Sequence, residues 1–134
     1  MKYFYLFIFF IFPSCYATDS VICISIFNLK GVTSTASDNY SFEDDGFTGK
    51  EFQFFIRSNK ITTSDVDENE LNFVILNSEL TLLGTYSGNN KESTIETWAF
   101  DYKKAKVYFN RSRVGFPYYN GNSAYIGDIK KCTK

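Results

Sequence analysis

Histidine does not occur anywhere in the 134 residues. Its absence removes the usual general base at neutral pH, the commonest metal ligand, and the histidine half of serine and cysteine nucleophile pairs. A GxSxG elbow, a phosphate-cradling glycine loop and a dinucleotide fingerprint are missing as well. Catalysis would have to rest on carboxylates, as in glycoside hydrolysis. The acids lie mainly in turn-like stretches, so no enzyme is expected and no cofactor is implied. Long apolar runs are also lacking. The longest, Tyr3 to Phe12, falls well short of the ~20 residues that a membrane-spanning helix needs.

What that short run does fit is an export signal. MKYFYLFIFFIFPSCYA has one basic residue, Lys2, then the apolar run, then Pro13 before small residues. Cys15 and Ala17 satisfy the small-side-chain requirement of a general signal peptidase, which predicts residues 1–17 as a signal peptide and 18–134 as one secreted or periplasmic domain. The competing reading is a lipoprotein anchored at Cys15. Ser14 suits it, but Phe12 and Pro13 do not. After either cut no stable membrane span remains.

Cysteine is scarce too: Cys15, Cys23 and Cys132. Export takes Cys15 out of the pairing pool. The two that remain, in oxidising surroundings, are expected to form a Cys23–Cys132 disulfide.

A cut after Ala17 leaves 117 residues, enough for a single domain burying about two-thirds of its unfolded surface. Loss of Lys2 from 14 Lys+Arg leaves 13 against 15 Asp+Glu, a net charge of −2 that calls for no nucleic-acid partner. The apolar residues follow period two. VICISIFNLK, KEFQFFIRS, ELNFVIL, ELTLLGTY, STIETWAFD, KVYFNRSR and SAYIGDIKK are strand-length runs rich in β-branched and aromatic residues. DDG (44–46), RSNK (57–60), SGNN (87–90) and YNGN (119–122) separate them as turns. The polar 31–48 stretch is expected to be a long loop, and Asp65 to Leu76 has room for a short helical turn. The fold class expected is all-β: an antiparallel meander of about seven to eight strands forming a curled sheet or small barrel. A Cys23–Cys132 bridge requires the first and last strands to be adjacent, as closure gives.

DVDENE, Asp65 to Glu70, spaces acids as calcium loops do, but Glu70 stands where such a loop needs Gly, and no metal is expected. Asn39 and Asn110 head glycosylation sequons. Phe52, Phe54, Phe73, Trp98, Phe100 and Phe109 fall where strand alternation turns them inward as core. A different use of those rings is a lipocalin-like barrel left open for a small apolar ligand. Lipocalins carry Gly-x-Trp in the first strand, however, and the only tryptophan here is Trp98.

The sharpest local expectation is a hairpin in ETWAFDYKKAKVYFNRSR. A turn at Tyr102 to Ala105 sets Phe100 against Val107, Trp98 against Phe109, Glu96 against Arg111 and Thr94 against Arg113, all on one face. That face runs from apolar to charged, which puts Glu96, Arg111 and Arg113 at a solvent rim. In this register Arg113 faces Thr94 rather than an acid, so it is the candidate for gripping a carboxylate or other anion on a partner. The C-terminal part is basic, with tyrosines interleaved, and the 38–70 region holds most of the acids. The function expected is binding: a small exported interaction module, of the inhibitor or immunity kind, whose partner is another protein.

Overall fold

The computed structural model describes residues 21–46, 49–57, 60–64, 71–77 and 80–132, and these are nearly all antiparallel strand. The export segment with Cys15 and the DVDENE stretch lie outside the described residues. Nine strands follow in order: β1 (Ile22–Thr35), β2 (Glu43–Gly46), β3 (Phe52–Arg57), β4 (Lys60–Thr63), β5 (Asn72–Asn77), β6 (Thr81–Ser87), β7 (Ser93–Asp101), β8 (Lys106–Val114) and β9 (Gly121–Lys131). They form one sheet in the order β4-β3-β1-β9-β8-β7-β6-β5, with β2 beside β1. The end strands β4 and β5 touch without a hydrogen-bonded ladder, so the sheet curls into a nearly closed barrel.

First and last strands are neighbours, as closure requires. β1 pairs with β9 from Ile24–Lys131 to Thr35–Gly121. The Cys23–Cys132 disulfide clamps one end of that ladder with Cα atoms 5.4 Å apart, across 109 residues of sequence. β1 serves two neighbours on its other side, β3 along its first half and β2 along its second. The bend between the halves is at Asn28, whose φ of 54° accompanies a register slip between Phe27 and Lys30. Its side-chain amide donates to Asp128 on β9 at 3.0 Å. Gly31, just past the bend, lies so close to β9 that an added Cβ would stand 1.8 Å from the Ala124 carbonyl oxygen.

Seven of the strands sit on the runs picked out by alternation; β2 and β4 do not. Within the expected 31–48 loop, residues 31–46 are largely structured: β1 continues to Thr35, a 3-10 turn covers Ala36–Asp38, and β2 (Glu43–Gly46) takes in the DDG expected as a break. β4 pairs back on β3 from Lys60, with Arg57 opposite Lys60. Residues 72–77 are extended rather than helical. The cause of the first miss is physical. Thr33 and Thr35 occupy inward positions of β1, but the interior there is polar, so no apolar alternation marks the strand.

The β7–β8 hairpin has the expected register throughout, from Asp101–Lys106 to Ser93–Val114. Its turn is fixed by the Asp101 carboxylate, which accepts from the Lys103 and Lys104 amides at 3.1 Å each, and by Ala105 at a φ of 53°. Inside the barrel, Phe54, Trp98, Phe100 and Phe109 are buried, with Phe52 and Phe73 packed against them. Phe73 lies across the pair from Gly84, where an added Cβ would come 2.6 Å from its ring. Trp98 stacks on Phe109 at 3.8 Å between centroids, and Phe109 stacks on Tyr125 at 5.4 Å.

Candidate functional site

The inner face of the barrel changes character along its length. At the disulfide end it is Ile24, Ile26, Val107 and Ile129; at the other end the same strands turn Thr33, Thr35, Arg111, Arg113 and Ser123 inward. The 3-10 turn and β2 border this polar end on one side, and the loop from Gly115 to Asn120 borders it on the other. The Ala36 amide donates to the Asn120 carbonyl at 2.8 Å and ties the two borders together. Between them opens a mouth of about 270 Å³, lined by Arg111, Arg113, Asp38, Asp45, Tyr119 and hydroxyls of β1 and β9.

Glu96 is not at the rim. It is 2% exposed, which corrects its expected place beside solvent. The carboxylate is buried because both oxygens are satisfied: Arg111 Nε donates to Oε1 at 2.6 Å and Trp98 Nε1 donates to Oε2 at 3.1 Å. A buried carboxylate without such partners would carry a large desolvation cost. Arg111 is held in turn, its guanidinium 5.1 Å from the Phe109 ring centre. Its side chain retains 24% exposure, on the side that lines the mouth. Nε is committed to Glu96, and among the described residues no hydrogen bond engages its two Nη groups. The expected Glu96–Arg111 pair is therefore present, but as an anchor beneath the site and not as a surface pair.

The two acids of the mouth are engaged by its wall. Asp45 accepts from the Tyr125 hydroxyl at 2.6 Å, and Asp38 accepts from Thr35 Oγ1 at 2.5 Å and Ser37 Oγ at 3.1 Å. Burial pushes the Tyr125 phenol above its usual pKa, and the bond to Asp45 adds to the rise. Both acids come from the 36–46 segment.

Exposed aromatic side chains occur on both bordering segments, and of these Tyr119 lines the mouth. Tyr40 and Phe42 follow the 3-10 turn and are 60% and 77% exposed; Tyr118 and Tyr119, on the opposite border, are 71% and 62% exposed. Phe42 lies apart from the mouth, in a second hollow of about 210 Å³ that it shares with Val32, Asn110, Ser112 and Ala124 on the outer face. Sequence reasoning reached Arg111 and Arg113 through the hairpin register. It missed Thr33, Thr35 and Asp45 because their segment reads as loop, and the only available signal was the β-branched Val-Thr-Ser-Thr run after Gly31. Asn39 is exposed at the left-handed end of the 3-10 turn, and Asn110 is exposed on the outer face of β8. Comparison with protein-family models, with curated proteins and with solved structures gives no match.

Proposed function

We propose that the protein works by binding, as an exported interaction module whose mouth receives an acidic group of a protein partner. The observation that carries this reading is the Arg111 guanidinium, fixed through Nε by buried Glu96 and presented to a hydroxyl-lined mouth beside Arg113. An arginine held in advance loses little freedom on binding, and its planar fork suits a carboxylate. Tyr119 in the lining, with exposed Tyr40 and Tyr118 on the bordering segments, adds the aromatic-plus-arginine composition of protein-binding hot spots, which favours a protein over a small free anion. Residues 1–17 supply the export, and the Cys23–Cys132 bridge suits the oxidising compartment this implies.

A carrier of apolar ligands fits less well. It needs an aromatic-lined interior of about 300 Å³ or more, whereas Phe54, Trp98 and Phe109 pack on one another. The test is capture from an extract of the native source on immobilised mature protein, with identification of what binds. A protein partner held by wild type, released by an acidic peptide and lost with Arg111→Gln/Arg113→Gln, is the expected result. Retention by the double variant, or capture of a lipid instead, would overturn the reading.

A further inference from the structure

The mouth carries both signs of charge, and they come from different parts of its wall. Arg111 and Arg113 belong to β8, whereas Asp38 and Asp45 belong to the 3-10 turn and to β2. β9 and β1 lie between β8 and β2, three interstrand steps of about 4.8 Å, or about 14 Å around the wall. Neither aspartate forms an ion pair with a described residue. The groups that hold them are neutral. Asp38 accepts from the Thr35 and Ser37 hydroxyls, both at Oδ2, and Asp45 accepts from the Gly46 amide and the Tyr125 hydroxyl. Such donors fix the direction of a carboxylate and leave its charge in place, and they fill about half of the acceptor positions it offers.

Tyr125 lies between the two signs. Its ring stacks on Phe109, over which the Arg111 guanidinium sits, and its hydroxyl meets Asp45. Burial is the first cause of its raised pKa; the Asp45 charge adds to the rise and the Arg111 charge opposes it, so both charges act on one side chain.

We infer that the mouth takes a dipolar segment of the partner, with a carboxylate against Arg111 and Arg113 and an ammonium or guanidinium group against Asp38 and Asp45. This rests on the reading of the mouth as the seat of a partner's acidic group, and it adds the second half of what enters. A ligand with negative charge alone gains at the arginines and is repelled by the aspartates, since like charges brought together in an interface are costly. A phosphate or sulfate, charged on every side, is the worst placed. A segment with both signs is attracted at both parts of the wall, and entry in the reverse direction sets like against like, which fixes its orientation. In an extended chain, side chains two residues apart share a face with their Cα atoms about 7 Å apart. An acid and a base so spaced, each adding the reach of its own side chain, match the separation of the two signs.

Three blocked tripeptides test this on the mature, oxidised protein: acetyl-Glu-Gly-Lys-amide, acetyl-Glu-Gly-Gln-amide and acetyl-Gln-Gly-Lys-amide, titrated by NMR at the amides of Tyr119, Gly121 and Ser123 in the lining. The Glu/Lys peptide should bind roughly fivefold more tightly than the Glu/Gln peptide, as one partly screened ion pair allows. Asp38→Asn and Asp45→Asn each keep an oxygen for the hydroxyl donors, so they should melt as wild type does. Both should weaken the Glu/Lys peptide and strengthen the Glu/Gln peptide. Those opposite signs are what a mouth for acid alone does not give, because it would bind both peptides better without an aspartate charge. Should Asp38→Asn unsettle its turn, Asp45→Asn decides by itself. Equal affinity of the two Glu peptides for wild type, or tighter binding of Glu/Lys by Asp45→Asn, would overturn the dipolar inference and leave the acid reading standing. Failure of both Glu peptides to bind, a Gln/Lys peptide as tight as Glu/Lys, or binding undiminished in Arg111→Gln/Arg113→Gln would overturn the acid reading and this inference with it.

Discussion

Along the inner face of β8, Val107 and Phe109 are almost wholly buried, whereas Arg111 and Arg113, on the same face of the same strand, line a polar mouth. The two ends of the barrel are built by the same strands and closed by different means. The disulfide end is shut by apolar packing and by the Cys23–Cys132 clamp beside Ile24. The mouth end is held by an ion pair, hydroxyl bonds and the Ala36–Asn120 link. Burial of apolar surface stabilises more per residue than exposed polar contacts do. The closed end should therefore carry most of the stability, and the mouth is left to chemistry that packing would exclude.

Reduction of the disulfide should have the largest effect. The bridge closes a loop of roughly 100 residues, for which the chain-entropy model gives about 4.7 kcal/mol, with measured bridges often delivering less. Urea unfolding with and without reductant measures it; an unchanged midpoint would remove the clamp from the account. Phe109→Ala should cost about 3–5 kcal/mol, as aromatic truncations in packed cores do, because it takes the middle ring from the Trp98–Phe109–Tyr125 stack.

The ion pair joins the two ends, and its loss sharpens the contrast. Arg111→Ala leaves the buried Glu96 carboxylate with the Trp98 N–H as its remaining donor, at a cost of about 3 kcal/mol. Glu96→Gln/Arg111→Ala should recover much of that stability while binding stays lost. A double variant as unstable as the single one would show that the cost comes from packing and not from stranded charge.

Acid should loosen the closed end through two carboxylates on its outer surface. The Ser25 hydroxyl, followed by the Lys130 charge, holds Glu51 below its ordinary pKa, and the Lys106 ammonium followed by the Asn28 amide does the same for Asp128. Folding lowers both values, so the folded form binds these protons more weakly than the unfolded chain. Their contribution is complete above the ordinary carboxylate range and is lost as the pH falls below about 4, through the folded values. Glu51→Gln and Asp128→Asn should flatten the fall of melting temperature between neutral pH and pH 3; an unaltered slope would assign it to other groups.

How far the sequence could be read differs between the same two ends. Alternating apolar side chains mark a strand because one face is core, and β7 and β8 were legible residue by residue, down to the Glu96–Arg111 pairing. At the mouth the inner face is itself polar. Thr33 and Thr35 alternate with Val32 and Ser34 without contrast, so the 31–35 extension of β1 reads as loop. β2 was hidden for a related reason: EDDG is four acidic or flexible residues, and its strand form depends on the ladder to Lys30–Thr33 of β1. For Glu96 the alternation gives the row but not the depth. Register says which residue lies opposite, but the indole N–H that makes its burial tolerable comes from Trp98, two positions along the same strand.

The smallest stability change belongs to the residue with the most to say about the mouth. Arg113 lies opposite Thr94 in the hairpin and lines the cavity near the end of β8, partly exposed to solvent. Contacts of a partly exposed arginine are screened by water and contribute about 0.2–1 kcal/mol. Arg113→Ala should thus leave the melting temperature nearly unchanged, in contrast to Arg111→Ala. Binding of an acidic partner should weaken in both, since the two guanidinium groups share one mouth. Arg113→Lys divides the role further: a point charge restores attraction at a distance but not a two-pronged grip on a carboxylate. Partial recovery with a steeper loss in salt is the expected outcome. Full affinity with Arg113→Ala would leave Arg111 and its Glu96 anchor as the whole of the anion grip, and the comparison would then be between one arginine and a core rather than between two ends of a barrel.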